Sequence, residues 1–206
     1  MASLKAPQSQ GSWPSFPSMA HTKRMSHPEL AADWDAWSSA RLRQWMSSLS
    51  EDTAPRSVNW WLKMRWVVQL RVYDRTLTAE TRRDWAEVAL SLTDYAERFA
   101  GYDRWSAAAD AINLRSLLIQ ELGSMAGDER WDPAALVRSA LAAVTLTPAR
   151  ARELAERWRT LPIKETALLR RHKILLAPLV PLVDQLPAGS DAERVRTWSA
   201  IVPTLP

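Results

Sequence analysis

The residues best suited to chemistry in this sequence are arginines interleaved with indoles. Arg41, Arg43 and Trp45 are followed by Arg56, Trp60, Trp61, Lys63, Arg65, Trp66, Arg71 and Arg75, then by Arg82, Arg83 and Trp85. A guanidinium forks onto phosphate or carboxylate oxygens, and an indole offers a face to an unstacked base or to arginine itself. A second basic set, Arg150, Arg152, Arg157, Arg159, Lys164, Arg170, Arg171 and Lys173, lies toward the C-terminus. On a helix over 148–160, Arg150 and Arg157 share one side while Arg152 and Arg159 share the opposite one. The sequence therefore nominates Arg41, Arg43, Arg56, Lys63, Arg65, Arg71, Arg75, Arg82 and Arg83 as a first backbone-neutralising stripe. Arg150, Arg157, Arg170, Arg171 and Lys173 form the second.

Other chemistries find few candidates. The chain has no Cys, which excludes disulfides, thiol nucleophiles, Cys-ligated zinc and iron–sulfur clusters. Its three histidines are His21, His27 and His172. None belongs to a His-Glu-x-x-His or paired Glu-x-x-His pattern, so no metal or other cofactor is expected. No glycine-rich run is present to cradle a phosphate. His172 sits in the run Arg170-Arg171-His172-Lys173, whose cations disfavour the imidazolium that a nucleophile's base must become. It reads as a surface or interface residue. Carboxylate chemistry in a helical bundle stays open, because aspartate and glutamate occur throughout.

The charges are laid out in blocks. Residues 41–83 hold nine basic and four acidic side chains, residues 84–138 five and ten, and residues 148–173 eight and three. The net charge of the chain is +4. Such a layout predicts folded faces of opposite sign and an electropositive surface for an anionic partner. The competing reading is that the blocks are solvated helix faces and scatter in space.

The elements that must position these residues are helices. Ser26-His27-Pro28-Glu29 is a capping box, followed by Leu30, Trp34, Trp37 and Trp45 within about 80° of helical arc. Residues 58–73 are apolar around almost the whole wheel, which implies a central helix covered on most sides. Thr78 caps a helix with the stripe Trp85, Val88, Ala89, Leu92, Tyr95, Ala96 and Phe99, and Gly101 stops it. A return helix with Trp105, Ala109, Ile112 and Leu118 ends at Gly123, completing an antiparallel hairpin. Asp132-Pro133 and Thr147-Pro148 are cap-plus-proline starts for helices over about 133–144 and 148–160. A further helix is expected from about Lys164 to Leu176. Pro178 and Pro181 then allow only a short helical turn, and Ser190 to Glu193 reads as a final capping box. There is no persuasive strand and no 34-residue repeat.

The sequence thus predicts an all-α bundle of about eight helices over 28–206, with a subdivision near 124–131 as the one place to divide it. Residues 1–27 are polar, rich in Ser and Pro and free of acids, and read as a disordered arm. The longest apolar run, Ile174 to Val183, has ten residues and two prolines, far short of the roughly 20 of a membrane span. A cytoplasmic location and no membrane partner are expected. Trp at helical spacing belongs in the core, with Trp60 and Trp66 as the exceptions, since their helix is too apolar for one layer to cover. The leading expectation is a non-catalytic helical subunit of a larger assembly, contacting other protein subunits and nucleic-acid backbone without sequence specificity. The runner-up is a protein–protein adaptor using an exposed Trp-bearing surface, and a carboxylate-dependent enzyme comes third.

Overall fold

The computed structural model describes residues 36–206. The described chain is all helical: α1 (Ser39–Ser47), α2 (Val58–Tyr73), α3 (Ala79–Ala100), α4 (Arg104–Leu122), α5 (Pro133–Ala142), α6 (Pro148–Glu156), α7 (Ile163–Leu176) and α8 (Ser190–Ser199). No strand occurs among the described residues. The expected arm and the capping box at Ser26 lie outside them. The first described helix starts at Ser39, where the Ser38 hydroxyl accepts from the Arg41 N–H. Its core residues are Leu42 and Met46, while Trp37 and Trp45 are half-buried.

Most other boundaries follow from local chemistry. Thr78, Asp103, Asp132 and Thr147 each cap a helix by accepting backbone N–H groups that have no partner within the first turn. Gly101 ends α3 at φ 71°, a conformation that a side chain disfavours, and the Tyr102 N–H then bonds the Ala96 carbonyl at 3.0 Å. Two expectations shift. The helix expected over 148–160 breaks after Glu156 into a 3₁₀ turn at Trp158–Thr160. Ser190 is the first residue of α8 and makes no side-chain cap; Gly189 precedes it. Ala177–Gln185 is a 3₁₀ stretch, as two prolines that cannot donate to an α-helical ladder require.

Packing is organised around α3 and α4. α3 packs against α1, α2 and α4, and its expected stripe is buried except for the half-buried Tyr95. α4 packs on α3 with one side and on α5, α7 and the 177–185 stretch with the other. The Ser116 hydroxyl, fully buried, donates to the Pro178 carbonyl at that second contact. Apolar residues therefore surround α4 because both of its sides are interior. An aromatic cluster of Trp45, Trp60, Trp61, Tyr95 and Phe99 joins α1, α2 and α3, with Trp60 and Trp61 edge-to-face at 4.9 Å. Trp61 is completely buried, and its indole N–H donates to the Pro55 carbonyl at 2.8 Å.

Candidate functional site

The first basic stripe is largely engaged inside the chain. Arg43 pairs with Asp84, joining α1 to α3. Arg65 pairs with Asp110 of α4 through Oδ2, and the same oxygen accepts from the Tyr102 hydroxyl at 2.8 Å. Arg82 is buried, a correction to its expected place on a binding face: its Nε donates to the Val72 carbonyl at 2.6 Å and its terminal nitrogen pairs with Glu121. Arg75 reaches the same carboxylate at 3.0 Å. Bonds from Arg82, then from Arg75, hold the Glu121 carboxyl below its ordinary range. Arg83 donates to the Leu122 and Gly123 carbonyls, both at 2.8 Å, and so closes the C-terminal end of α4. Arg65, Arg75, Arg82 and Arg83 thus tie α2 and α3 to α4.

The rest of that stripe is dispersed. Arg56 donates to the Glu51 carbonyl. Arg41 lies over the Trp37 ring at 4.3 Å and Arg71 over Trp85 at 4.8 Å. Lys63 is exposed on α2. The second stripe divides as well. Arg150 and Arg157 share Glu153, at 2.6 and 3.4 Å, and the Arg150 bond lowers that carboxyl. Lys173 donates to the Leu205 carbonyl at 2.6 Å, tying α7 to the C-terminal segment. Arg170 and Arg171 are exposed together on α7, Arg171 lying over the Trp105 ring at 5.2 Å.

His172 is buried, contrary to its expected surface position. Its Nε2 accepts from the Thr145 and Leu146 N–H groups, both at 3.1 Å, and its Nδ1 donates to the Leu168 carbonyl at 2.8 Å. That pattern requires the neutral ring, and burial pushes its pKa down. The side chain fixes the α5–α6 loop while stacking on Trp198. No group of His, Asp or Glu among the described residues is arranged to hold a metal ion. Among the described residues the buried polar side chains are Arg82, Thr93, Ser116 and His172, with no carboxylate among them. No helix among the described residues is long and apolar enough to cross a membrane.

What does stand out is the outer face of α2. Trp66, Leu70 and Tyr73 are 60%, 53% and 44% exposed and follow one another at i, i+4 and i+7. They lie roughly 160° around the helix from Trp61, Met64, Val68 and Val72, which face the core. α2 thus has the all-round apolar composition of α4 with only one side covered. Trp60, the other nominated docking residue, is half-buried in the aromatic cluster, so Trp66 alone of the pair stands on this face. Leu70 and Tyr73 were not nominated by sequence reasoning, although their spacing from Trp66 was the available signal. Lys63 flanks the stripe on one side, and the Arg65–Asp110 pair lies on the other. Comparison with protein-family models, curated proteins and solved structures finds no match to this chain.

Proposed function

We propose that this chain is a non-catalytic adaptor subunit whose α2 face seats an amphipathic helix of a partner protein. The observation that carries the reading is the exposed Trp66, Leu70 and Tyr73 stripe opposite the core face of the same helix. Together these side chains offer roughly 300 Å² of apolar surface, the size of patch that is often functional on a monomer. That area is well short of the roughly 800 Å² per partner of a standard interface between folded surfaces. One helix with aliphatic residues at i, i+3 or i+4, and i+7 fits it. Lys63 at its edge asks for an acidic residue on the incoming helix.

The nucleic-acid reading needs a continuous track of uncommitted cations. Arg43, Arg65, Arg75, Arg82, Arg150 and Arg157 instead bond carboxylates of their own chain. A photo-crosslinking amino acid in place of Trp66, with another in place of exposed Glu156 as control, separates the two. A discrete protein adduct at position 66, absent at 156 and abolished by Leu70→Glu, supports docking. Adducts that nuclease removes, or equal adducts at both positions, overturn it.

A further inference from the structure

A second surface has the same construction and a different charge. α7 buries Leu169, His172, Leu175 and Leu176. Ile163, Ala167 and Ile174 lie about 180° around the helix from them. Ile163 is 88% exposed, the most of any large apolar residue described, and Ile174 is 48% exposed. With Trp158 of the preceding 3₁₀ turn these isoleucines line an open groove of about 430 Å³, rimmed by Arg159, Arg170 and Arg171. No acidic side chain lines it.

The rim arginines differ from the ion-paired arginines elsewhere in the fold. Arg43, Arg65, Arg75, Arg82, Arg130, Arg150, Arg157 and Arg194 each pair with a carboxylate of this chain. Arg159 and Arg171 instead lie over the Trp158 and Trp105 rings, at 5.6 and 5.2 Å, and Arg170 has no ion-pair partner among the described residues. Stacking on indole restricts a guanidinium while leaving its N–H edge open to an acceptor. Asp103 feels the charge of Arg171 but makes no ion pair with it, and its Oδ2 accepts from both the Ser106 N–H and the Ser106 hydroxyl.

We infer that this groove binds an acidic amphipathic helix, its aliphatic side chains on Trp158, Ile163 and Ile174 and its carboxylates on Arg159, Arg170 and Arg171. Charge complementarity selects the acid, and the exposed isoleucines select an aliphatic face over a sugar–phosphate backbone, which has nothing to place on them. With no strand among the described residues, no sheet edge is offered to an extended peptide, and the helix-in-groove mode is left. The inference stands apart from the α2 surface, and the molecule becomes a two-sided adaptor if both hold.

The test is fluorescence anisotropy on the full chain with a labelled synthetic helix of about 18 residues, Leu on one face and Glu on both flanks. A Lys-for-Glu version and a single-stranded RNA serve as competitors. Binding weakened about tenfold or more by Arg170→Glu and by Ile163→Glu, unchanged by Leu70→Glu and not displaced by the Lys peptide, supports the groove. Both substitutions fall on exposed side chains, and unchanged circular dichroism melting excludes misfolding. No binding, binding indifferent to both groove variants, binding lost equally in Leu70→Glu, or displacement by RNA overturns it.

Discussion

Two arginines share Glu121, and the fold assigns them very different weights. Arg82 is buried and bonds both the Val72 carbonyl and the carboxylate, whereas the Arg75 side chain is 81% exposed and bonds the carboxylate alone. Replacing Arg82 with Met keeps much of the aliphatic stem and removes both bonds. Breaking a buried pair costs about 3–5 kcal/mol. Here Glu121 keeps Arg75 and some contact with water, so about 2–4 kcal/mol is expected, part of it from the orphaned Val72 carbonyl. Arg75→Met should cost no more than about 1 kcal/mol, as exposed ion pairs do. In urea, with a slope of about 2 kcal/mol/M, Arg82→Met lowers the unfolding midpoint by about 1–2 M and Arg75→Met by less than about 0.5 M. Adding Glu121→Gln to Arg82→Met should cost less than the two singles together, because the second change relieves a carboxylate short of a partner. The pH dependence has a fixed sign. Glu121 is held below its ordinary pKa when folded, so the stabilisation is complete above the ordinary glutamate range and disappears as pH falls through the lowered value. Equal midpoint shifts for Arg75→Met and Arg82→Met, or a shift under about 0.5 M for Arg82→Met, would refute the assignment.

Trp61→Ala removes a fully buried indole and should cost about 3–5 kcal/mol in chemical denaturation, while Trp66→Ala should stay within about 1 kcal/mol of the parent. His172 has its pKa lowered by burial, so the unfolded chain binds a proton more readily. Stability should therefore decline as pH falls below about 6.5, by up to about 1.4 kcal/mol per pH unit, and the decline should vanish in His172→Gln when melting is followed against pH. Gly101→Ala forces a side chain into φ 71° and should lower thermal stability by about 1 kcal/mol, or about 2–4 °C; no change in melting would mean that α3 ends differently.

The helices were legible because their punctuation is local. Thr78, Asp132-Pro133, Thr147-Pro148, Gly101 and Gly123 act on residues within one turn, and each marks the observed end of an element. The ion pairs of Arg65 and Arg82 are not legible in the sequence because their partners are remote: Asp110 is 45 residues from Arg65, and Glu121 is 39 from Arg82. The signal was nevertheless present in the charge blocks. A basic stretch at 41–83 followed by an acidic one at 84–138 is what two packed helical layers need in order to neutralise each other. His172 lies in the core for a related reason, since Arg170 and Arg171 point to solvent and Lys173 turns to the Leu205 carbonyl while the ring enters the interior. The apolar wheel of α2 led to the expectation of a helix covered on most sides, yet Trp66, Leu70 and Tyr73 are exposed, because composition alone does not distinguish an inner helix such as α4 from one with an uncovered side.

The position of α4 between two halves of the molecule also bears on how the chain is made. Synthesis delivers α1 to α4 first, and Ala109, Ile112 and Ile119 line the flank of α4 whose coverage comes from residues 133–185. Until those later residues leave the ribosome, the nascent protein carries a wet hydrophobic ridge, and the Ser116 hydroxyl has no Pro178 carbonyl to meet. Halting translation just after Leu122 should therefore yield a sticky intermediate that holdase chaperones recognise, whereas release of the finished chain removes their foothold.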